Sequence, residues 1–88
     1  MNVAGKIVVV TGGGSGIGKA MCHAFHRAGA AKVVVADIDP ATADQVAKAT
    51  NGTAFSCDVT QELQITALIA TTESDYGPID LFCSNRCV

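Results

Sequence analysis

The chain has 88 residues, of which 49% are hydrophobic and 16% charged, so it can hold one small domain with a thin core. Six basic residues against eight acidic ones give a net charge of -2 without any lysine or arginine cluster, which argues against nucleic acid or a membrane surface as partner. The four cysteines have no CxxC spacing and the early apolar run Ile7–Val10 is too short for a signal peptide, so we expect reduced thiols and a cytoplasmic protein.

The first half of the chain predicts two strands around one helix. The unbroken apolar run at Ile7–Val10 is typical of a strand buried on both faces, so we predict a strand over Lys6–Thr11. A glycine loop and a helix from Ile17 to about Gly29 follow, and a second valine run predicts a strand over Lys32–Asp37. The apolar residues of the helix fall at helical spacing on one face, namely Ile17, Ala20, Met21, Ala24, Phe25 and Ala28.

The second half repeats the alternation. Asp39 and Pro40 open a weaker, alanine-rich helix that ends at Asn51 and Gly52, and a third strand is predicted to follow it over Thr53–Cys57. Thr60 suits the N-cap of a third helix. That helix has an apolar stripe of Ile65, Leu68, Ile69, Thr72 and Tyr76, ends at Gly77 and Pro78, and leads to a fourth strand over Ile79–Ser84.

Strands that alternate with helices in this way predict an α/β fold of order β-α-β-α-β-α-β. We therefore expect a partial, Rossmann-like doubly wound parallel sheet, in which residues 1–88 form a single incomplete dinucleotide-binding domain. The fourth strand is expected to lie beside the first, at the edge of the sheet, with the apolar residues Leu81, Phe82 and Cys83 poorly covered.

The most informative segment is Thr11–Gly18, which reads T-G-G-G-S-G-I-G where a buried strand turns into a helix. Glycines at such a junction let the backbone approach a ligand, and the helix N-terminus offers free N–H groups to a pyrophosphate. The spacing of Gly12, Gly16 and Gly18 does not match G-x-G-x-x-G. It resembles the T-G-x-x-x-G-x-G motif of the short-chain dehydrogenases/reductases, which implies that these glycines, with Ser15 and Ile17, bind the coenzyme.

Further positions fit the same resemblance. Asp37 ends the second strand, where an acidic side chain accepts hydrogen bonds from the adenosine ribose and repels a 2'-phosphate, so the resemblance implies NAD rather than NADP as cofactor, with Ile38 beside it. Asp58 and Val59 resemble the pair with which the family holds adenine. Asn85 matches the second asparagine of the family's N-N-A-G motif, although the next two residues depart from it.

The family's catalytic residues have no counterpart in these 88 residues. The only tyrosine, Tyr76, has Asp80 four positions later, and no lysine follows Lys48, so no Tyr-x-x-x-Lys pair exists in this sequence. We assign no catalytic residue and expect weak dinucleotide binding without turnover. A small-molecule substrate is expected only for a full-length relative, and the oligomeric state cannot be read from these residues.

Two other interpretations were weighed. Gly13–Lys19 also fits the core of a P-loop, but Ala20 follows the lysine where a magnesium ligand would be required, which disfavours a nucleotide hydrolase. Cys22, His23 and His26 are spaced like surface residues rather than metal ligands, so we assign no metal site.

The sequence therefore predicts the dinucleotide-binding half of an NAD-dependent oxidoreductase, inactive by itself. A stand-alone adenine-nucleotide binding module and a truncated, non-functional product stay open as alternatives.

Overall fold

The computed structural model describes residues 3–12, 14 and 16–84 of the chain. Strands and helices alternate throughout these residues, as the sequence predicts. The elements are β1 (Ile7–Thr11), α1 (Gly16–Arg27), β2 (Lys32–Asp37), α2 (Pro40–Ala49), β3 (Thr53–Ser56), α3 (Glu62–Tyr76) and β4 (Leu81–Ser84).

The four strands form one parallel sheet in the order β3-β2-β1-β4. The fold class predicted from the sequence is confirmed, as is the place of the fourth strand beside the first. The order reverses between β1 and β4, and this is the point at which open parallel sheets bind their ligands, outside the carboxyl ends of the strands.

The sheet separates two apolar clusters. Val8 and Val10 point towards α1 and α2, together with Cys22 and Val46, while Val9 points to the opposite face, where it packs with the fully buried Leu68 of α3. This alternation along one strand is why residues 7–10 of β1 are all apolar. The core is thin but continuous on both faces.

The helix α1 turns a different face to the sheet from the one that its apolar spacing predicts. Its buried residues are Gly18 and Cys22, whereas Ile17 is 76% exposed and Ala20 and Ala24 are also exposed. The apolar stripe from Ile17 to Ala28 therefore does not coincide with the buried face, although Met21 and Phe25 are half-buried. Small residues at 18 and 22 let the helix lie close to the valines of the sheet, and alanine loses little by exposure.

The predicted N-cap of α3 is also wrong. The cap residue is Gln61, with no side-chain cap hydrogen bond, while the Thr60 hydroxyl donates to Asp58 instead. By contrast, α2 begins as predicted, because Asp39 is its N-cap, accepts from the Ala41 N–H, and is followed by proline.

The edge strand β4 begins two residues later than predicted. The Asp80 carboxylate accepts from the Ile7 N–H at 2.9 Å, and the Asp80 N–H donates to the Ile7 carbonyl, also at 2.9 Å, so Asp80 fastens β4 to β1 just before the strand starts. Within the part of the chain that the structure describes, no helix is long and apolar enough to cross a membrane.

Candidate functional site

The glycine loop lies where β1 ends and α1 begins, at the carboxyl edge of the sheet. Gly12 (φ 66°) and Gly16 (φ 59°) both have left-handed backbone conformations, which other residues adopt only with strain. They turn the chain sharply enough for α1 to start at Gly16, with its N-terminal N–H groups at the mouth of the sheet. The N-terminus of α1 therefore directs backbone N–H groups and a partial positive charge towards the place where an anion could bind.

Asp37, the last residue of β2, faces this loop. Its Oδ2 accepts from the Gly14 N–H at 2.9 Å and its Oδ1 accepts from the Asp39 N–H at 3.0 Å. An ionised carboxylate has about four acceptor positions, two on each oxygen. Each oxygen of Asp37 thus has one backbone donor in these hydrogen bonds and keeps room for one more.

Gly14 is buried between Asp37 and the first turn of α2. A Cβ added at this position would lie 2.5 Å from Thr42 Oγ1 and 2.8 Å from Asp37 Oδ2. Both distances are shorter than van der Waals contact, so only glycine fits here without displacing a neighbour. The spacing of Gly12, Gly16 and Gly18 does not single out Gly14. The side chains that crowd Gly14 belong to Asp37 of β2 and Thr42 of α2, and they reach it only in the folded chain.

Asp58 and Val59 follow β3 in a turn whose hydrogen bonds are local. Asp58 Oδ1 accepts from the Thr60 hydroxyl at 2.7 Å and from the Thr60 N–H at 2.9 Å, and the Asp58 N–H donates to Gln64 Oε1 at 2.8 Å. The Thr60 hydroxyl, followed by its N–H, lowers the pKa of the Asp58 carboxyl below its ordinary 3.8. Asp58 therefore carries its charge at neutral pH. Gln64 was not predicted from the sequence; its side chain reaches back from the first turn of α3.

Asp37 and Asp58 lie at the ends of neighbouring strands. The Cys57 N–H donates to the Asp37 carbonyl at 2.9 Å, which extends the pairing of β3 with β2 beyond Ser56. The structure thus brings together two of the residues that the sequence predicted for the adenosine part of a coenzyme. Apolar surface lies next to them, because Ile38 is 67% exposed and Val59 is half-buried.

The remaining predicted site residues divide into two groups. Gly12, Gly16, Ile17 and Gly18 all belong to the loop or the start of α1, where Gly18 is buried against the sheet and Ile17 projects into solvent. Ser15 and Asn85 lie outside the described residues.

The segments weighed for other functions also have defined places. Lys19 and His23 line a groove of about 230 Å³ between α1 and α2, together with Gly14, Gln45, Val46 and Ala49. Cys22 points into the core, and among the described residues no three His, Cys, Asp or Glu side chains lie together as metal ligands would. Among the described residues, Cys22, Cys57 and Cys83 form no disulfide.

A parallel sheet with a glycine loop at its switch point defines a nucleotide-binding α/β protein. The family model described as short chain dehydrogenase matches residues 6–88, and the chain belongs to that family. The match also favours the dehydrogenase interpretation of the loop over the P-loop alternative.

Three similar proteins illustrate the relationship. The (-)-isopiperitenol/(-)-carveol dehydrogenase of Mentha piperita is 40% identical over 86 residues, which are 93% of this chain and 32% of that protein. A solved structure of a protein named ribose-5-phosphate isomerase from Brucella melitensis 16M is 39% identical with a TM-score of 0.92, over 99% of this chain and 34% of that one. A 3-ketoacyl-(acyl-carrier-protein) reductase from Brucella melitensis, complexed with NADH, is 34% identical with a TM-score of 0.85, over 91% of this chain and 34% of that one.

The chain thus spans about a third of the length of these relatives. Their names state different reactions. The similarity therefore establishes the family and the fold of this chain, but not a substrate.

Proposed function

We propose that this chain forms the adenosine- and pyrophosphate-binding part of an NAD site in an oxidoreductase, with NAD preferred over NADP. The observation that carries the proposal is the Asp37 carboxylate, held beside the glycine loop with one backbone donor on each oxygen. The residues proposed to bind the coenzyme are Gly12, Ser15, Gly16, Ile17, Gly18, Asp37, Ile38, Asp58, Val59 and Asn85.

The donor arrangement at Asp37 fits the adenosine ribose. The remaining acceptor position on each oxygen matches the two vicinal hydroxyl groups of the sugar, which can donate to one carboxylate together. A 2'-phosphate would bring about two negative charges against the same carboxylate. Two unit charges at about 4 Å repel by roughly 4 kcal/mol at an effective dielectric constant near 20, before screening by salt. This repulsion favours NAD.

The other contacts supply the remaining parts of the coenzyme's adenosine half. The α1 N-terminus would hold the pyrophosphate, which Gly12 and Gly16 allow to approach the backbone. Asp58, ionised at neutral pH, would accept from the adenine amino group, with Ile38 and Val59 as apolar surface against the ring. The NADH in the Brucella reductase supports a coenzyme of this class, because that protein shares the fold over this segment.

When bound, the nicotinamide ring supplies a hydride acceptor or donor, and the residues of this chain hold and orient the coenzyme for it. We propose that the 88-residue chain transfers no hydride by itself, since its sequence contains no Tyr-x-x-x-Lys pair. Formation of reduced coenzyme from NAD and an alcohol by the pure chain, followed by absorbance, would contradict this part of the proposal.

NMR titration of the labelled chain with NAD and with NADP tests the coenzyme proposal. NAD should shift the amide signals of the glycine loop and of Asp37, and its dissociation constant should be at least about 10-fold lower than that of NADP. The variant Asp37→Ser should narrow this ratio towards one. The matched control is Asp44→Ser, which removes the same charge from the exposed face of α2, where Asp44 pairs with Lys48 at 2.9 Å. A ratio that Asp37→Ser leaves unchanged would refute the assignment of Asp37.

A stand-alone adenine-nucleotide binding module is a second candidate function. It is favoured by the neighbouring positions of Asp37 and Asp58 at the ends of β2 and β3, because these two carboxylates are the ones proposed for adenosine. Titration with AMP separates the candidates. If AMP binds as tightly as NAD, the nicotinamide half contributes nothing here, and the module interpretation is preferred.

We also propose a cytoplasmic location, where thiols stay reduced. The described cysteines support it, since Cys22, Cys57 and Cys83 form no disulfide and the first two are buried. Imaging of a fluorescent fusion tests this proposal, and a fusion confined to an oxidising compartment would contradict it.

A further inference from the structure

The turn that joins α2 to β3 contains the pair Asn51 and Gly52, and the fold gives a reason for each residue. Asn51 is exposed and has a left-handed φ of 51°, which asparagine, aspartate and glycine adopt more readily than other residues. A Cβ added at Gly52 would lie 2.2 Å from the Val33 carbonyl oxygen. That oxygen belongs to the backbone of β2 and cannot rotate aside as a side-chain end can, so a side chain at position 52 would force the turn away from the sheet.

An asparagine followed by glycine is prone to spontaneous deamidation, because glycine has no side chain to hinder attack by its backbone nitrogen. The Gly52 nitrogen loses its proton to water and bonds to Asn51 Cγ, while the bond from Cγ to the side-chain nitrogen breaks and ammonia leaves. Water then adds to one carbonyl of the cyclic imide and breaks the bond from that carbonyl to the Gly52 nitrogen. Opening at Cγ gives aspartate and opening at the main-chain carbonyl gives isoaspartate, so one water enters, one ammonia leaves, and nothing is oxidised or reduced.

The C-terminal cap of α2 holds the nitrogen that has to react. The Gly52 N–H donates to the Ala47 carbonyl at 2.8 Å, and the buried Thr50 hydroxyl donates to the Val46 carbonyl, also at 2.8 Å. These bonds keep the proton on the Gly52 nitrogen and restrain the rotations that would bring this nitrogen to Asn51 Cγ. Deamidation should therefore proceed from conformers in which the end of α2 has opened.

We propose that Asn51 is a site of spontaneous deamidation, protected while the cap of α2 is closed and reactive when it opens. The pair that the turn and the sheet require is thus also the pair that is chemically labile. The site precedes β3, whereas Asp58 follows the end of that strand, so the inference does not depend on the proposed coenzyme site.

The two products fit the turn differently. Aspartate tolerates the left-handed φ, and its carboxylate would lie near the Lys32 ammonium group, which donates to the Asn51 carbonyl at 3.4 Å. Isoaspartate lengthens the main chain by one carbon just before Gly52, which lies against the Val33 backbone. The added length moves Gly52 relative to both Val33 and its acceptor Ala47, so the isoaspartyl chain should lose the cap bond or the close packing on β2.

Deamidation is measured by peptide mass spectrometry of the chain stored at neutral pH, either native or in urea. In urea, Asn51 should convert several-fold faster than Asn2 and Asn85, which precede valine and arginine. In the native chain, Asn51 should convert at least about 10-fold more slowly than in urea, which corresponds to roughly 1.4 kcal/mol for opening the cap. Hydrogen exchange of the Gly52 amide measures this opening independently, and its protection should match the ratio of the two rates.

The variant Thr50→Val tests whether the cap controls the reaction. It removes the hydroxyl bond and keeps the β-branched shape, so native deamidation at Asn51 should accelerate by about 2- to 10-fold, as expected for one lost hydrogen bond, with no change in urea. The control is Thr66→Val, which removes a similar bond on α3, from the Thr66 hydroxyl to the Glu62 carbonyl at 3.0 Å, and should leave Asn51 unaffected. If Thr50→Val does not fold, the comparison of rates with Gly52 exchange in the unsubstituted chain decides.

The separated products test the consequence for the fold. Chromatography resolves them, with Asn51→Asp as the standard for the aspartyl form, and methyl transfer by an isoaspartyl carboxyl methyltransferase marks the other. The urea midpoint of Asn51→Asp should equal that of the unsubstituted chain, and the isoaspartyl midpoint should be lower. The proposal is overturned if Asn51 converts equally fast in the native chain and in urea, or if it converts no faster in urea than Asn2 and Asn85. Equal midpoints for the two products would contradict the predicted loss of packing on β2.

Discussion

Cys22 provides a chemical probe of how firmly α1 holds its place. The side chain is fully buried against the sheet, and this burial, followed by the nearby Cys83, raises the pKa of the Cys22 thiol from 9.0 to about 11. A rise of two units leaves about 100-fold less thiolate at any pH below 9 than an ordinary cysteine has. Because thiolate is the form that an alkylating reagent attacks, Cys22 should react only after α1 has moved off the sheet.

This dependence makes the labelling rate a measure of ligand binding at the N-terminus of α1. If the closed form alone binds NAD, the population of the open form falls by the factor 1 + [NAD]/Kd. Labelling of Cys22 should therefore slow by about 11-fold when the NAD concentration is ten times Kd. The assay is iodoacetamide alkylation for increasing times, followed by digestion and mass spectrometry of the peptide that contains residue 22.

Two internal references complete the experiment. Cys83 is half-buried on the edge strand and should be alkylated faster than Cys22 in the native chain, although burial raises the pKa of its thiol too. In urea the two cysteines should react at similar rates. The reasoning is refuted if native Cys22 reacts as fast as Cys83, or if saturating NAD leaves the labelling rate of Cys22 unchanged.

The remaining predictions concern stability and pH. Leu68→Ala should lower the free energy of unfolding by about 2–5 kcal/mol, because it empties a fully buried site in the cluster beneath α3, whereas Leu63→Ala, at an 85% exposed position of the same helix, should stay within about 0.5 kcal/mol; urea unfolding compares them. Thr60→Ala should return the pKa of the Asp58 carboxyl towards 3.8 in an NMR titration, since the hydroxyl is the main cause of its lowering. The stabilisation associated with that lowered pKa is present above 3.8 and is lost as the pH falls through the folded value, so this acid-side loss should be smaller in Thr60→Ala. An unchanged Asp58 pKa in the variant would contradict the assignment of the hydroxyl.

The strands could be predicted from the sequence because their signal is local. A run of valines without polar alternation has one stable environment, the middle of a sheet covered on both faces, and β2 begins and ends at the residues predicted for it. The start of α2 could be predicted for the same reason. The Asp39 side chain caps the helix, and the ring of Pro40 suits its first turn.

The orientation of α1 could not be predicted in this way. Apolar spacing gives the direction of a helical face, but the face of α1 that lies on the sheet is centred on Gly18 and Cys22, and a glycine gives no apolar signal in the sequence. The prediction of Thr60 as the N-cap of α3 was wrong because the threonine has another partner. A threonine can bond either to a following helix or to a preceding carboxylate, and the Asp58 carboxylate two residues away accepts from its hydroxyl.

The glycine loop shows why motif spacing recovers only part of a site. Gly12 and Gly16 are required by their own backbone angles, which a local pattern can represent, whereas Gly14 is required by the side chains of Asp37 and Thr42, which reach it only in the folded sheet. Motif spacing therefore recovers the glycines that the backbone of the loop itself demands. It misses a glycine whose neighbours come from a strand and a helix elsewhere in the chain, because those neighbours meet it only after the sheet has formed.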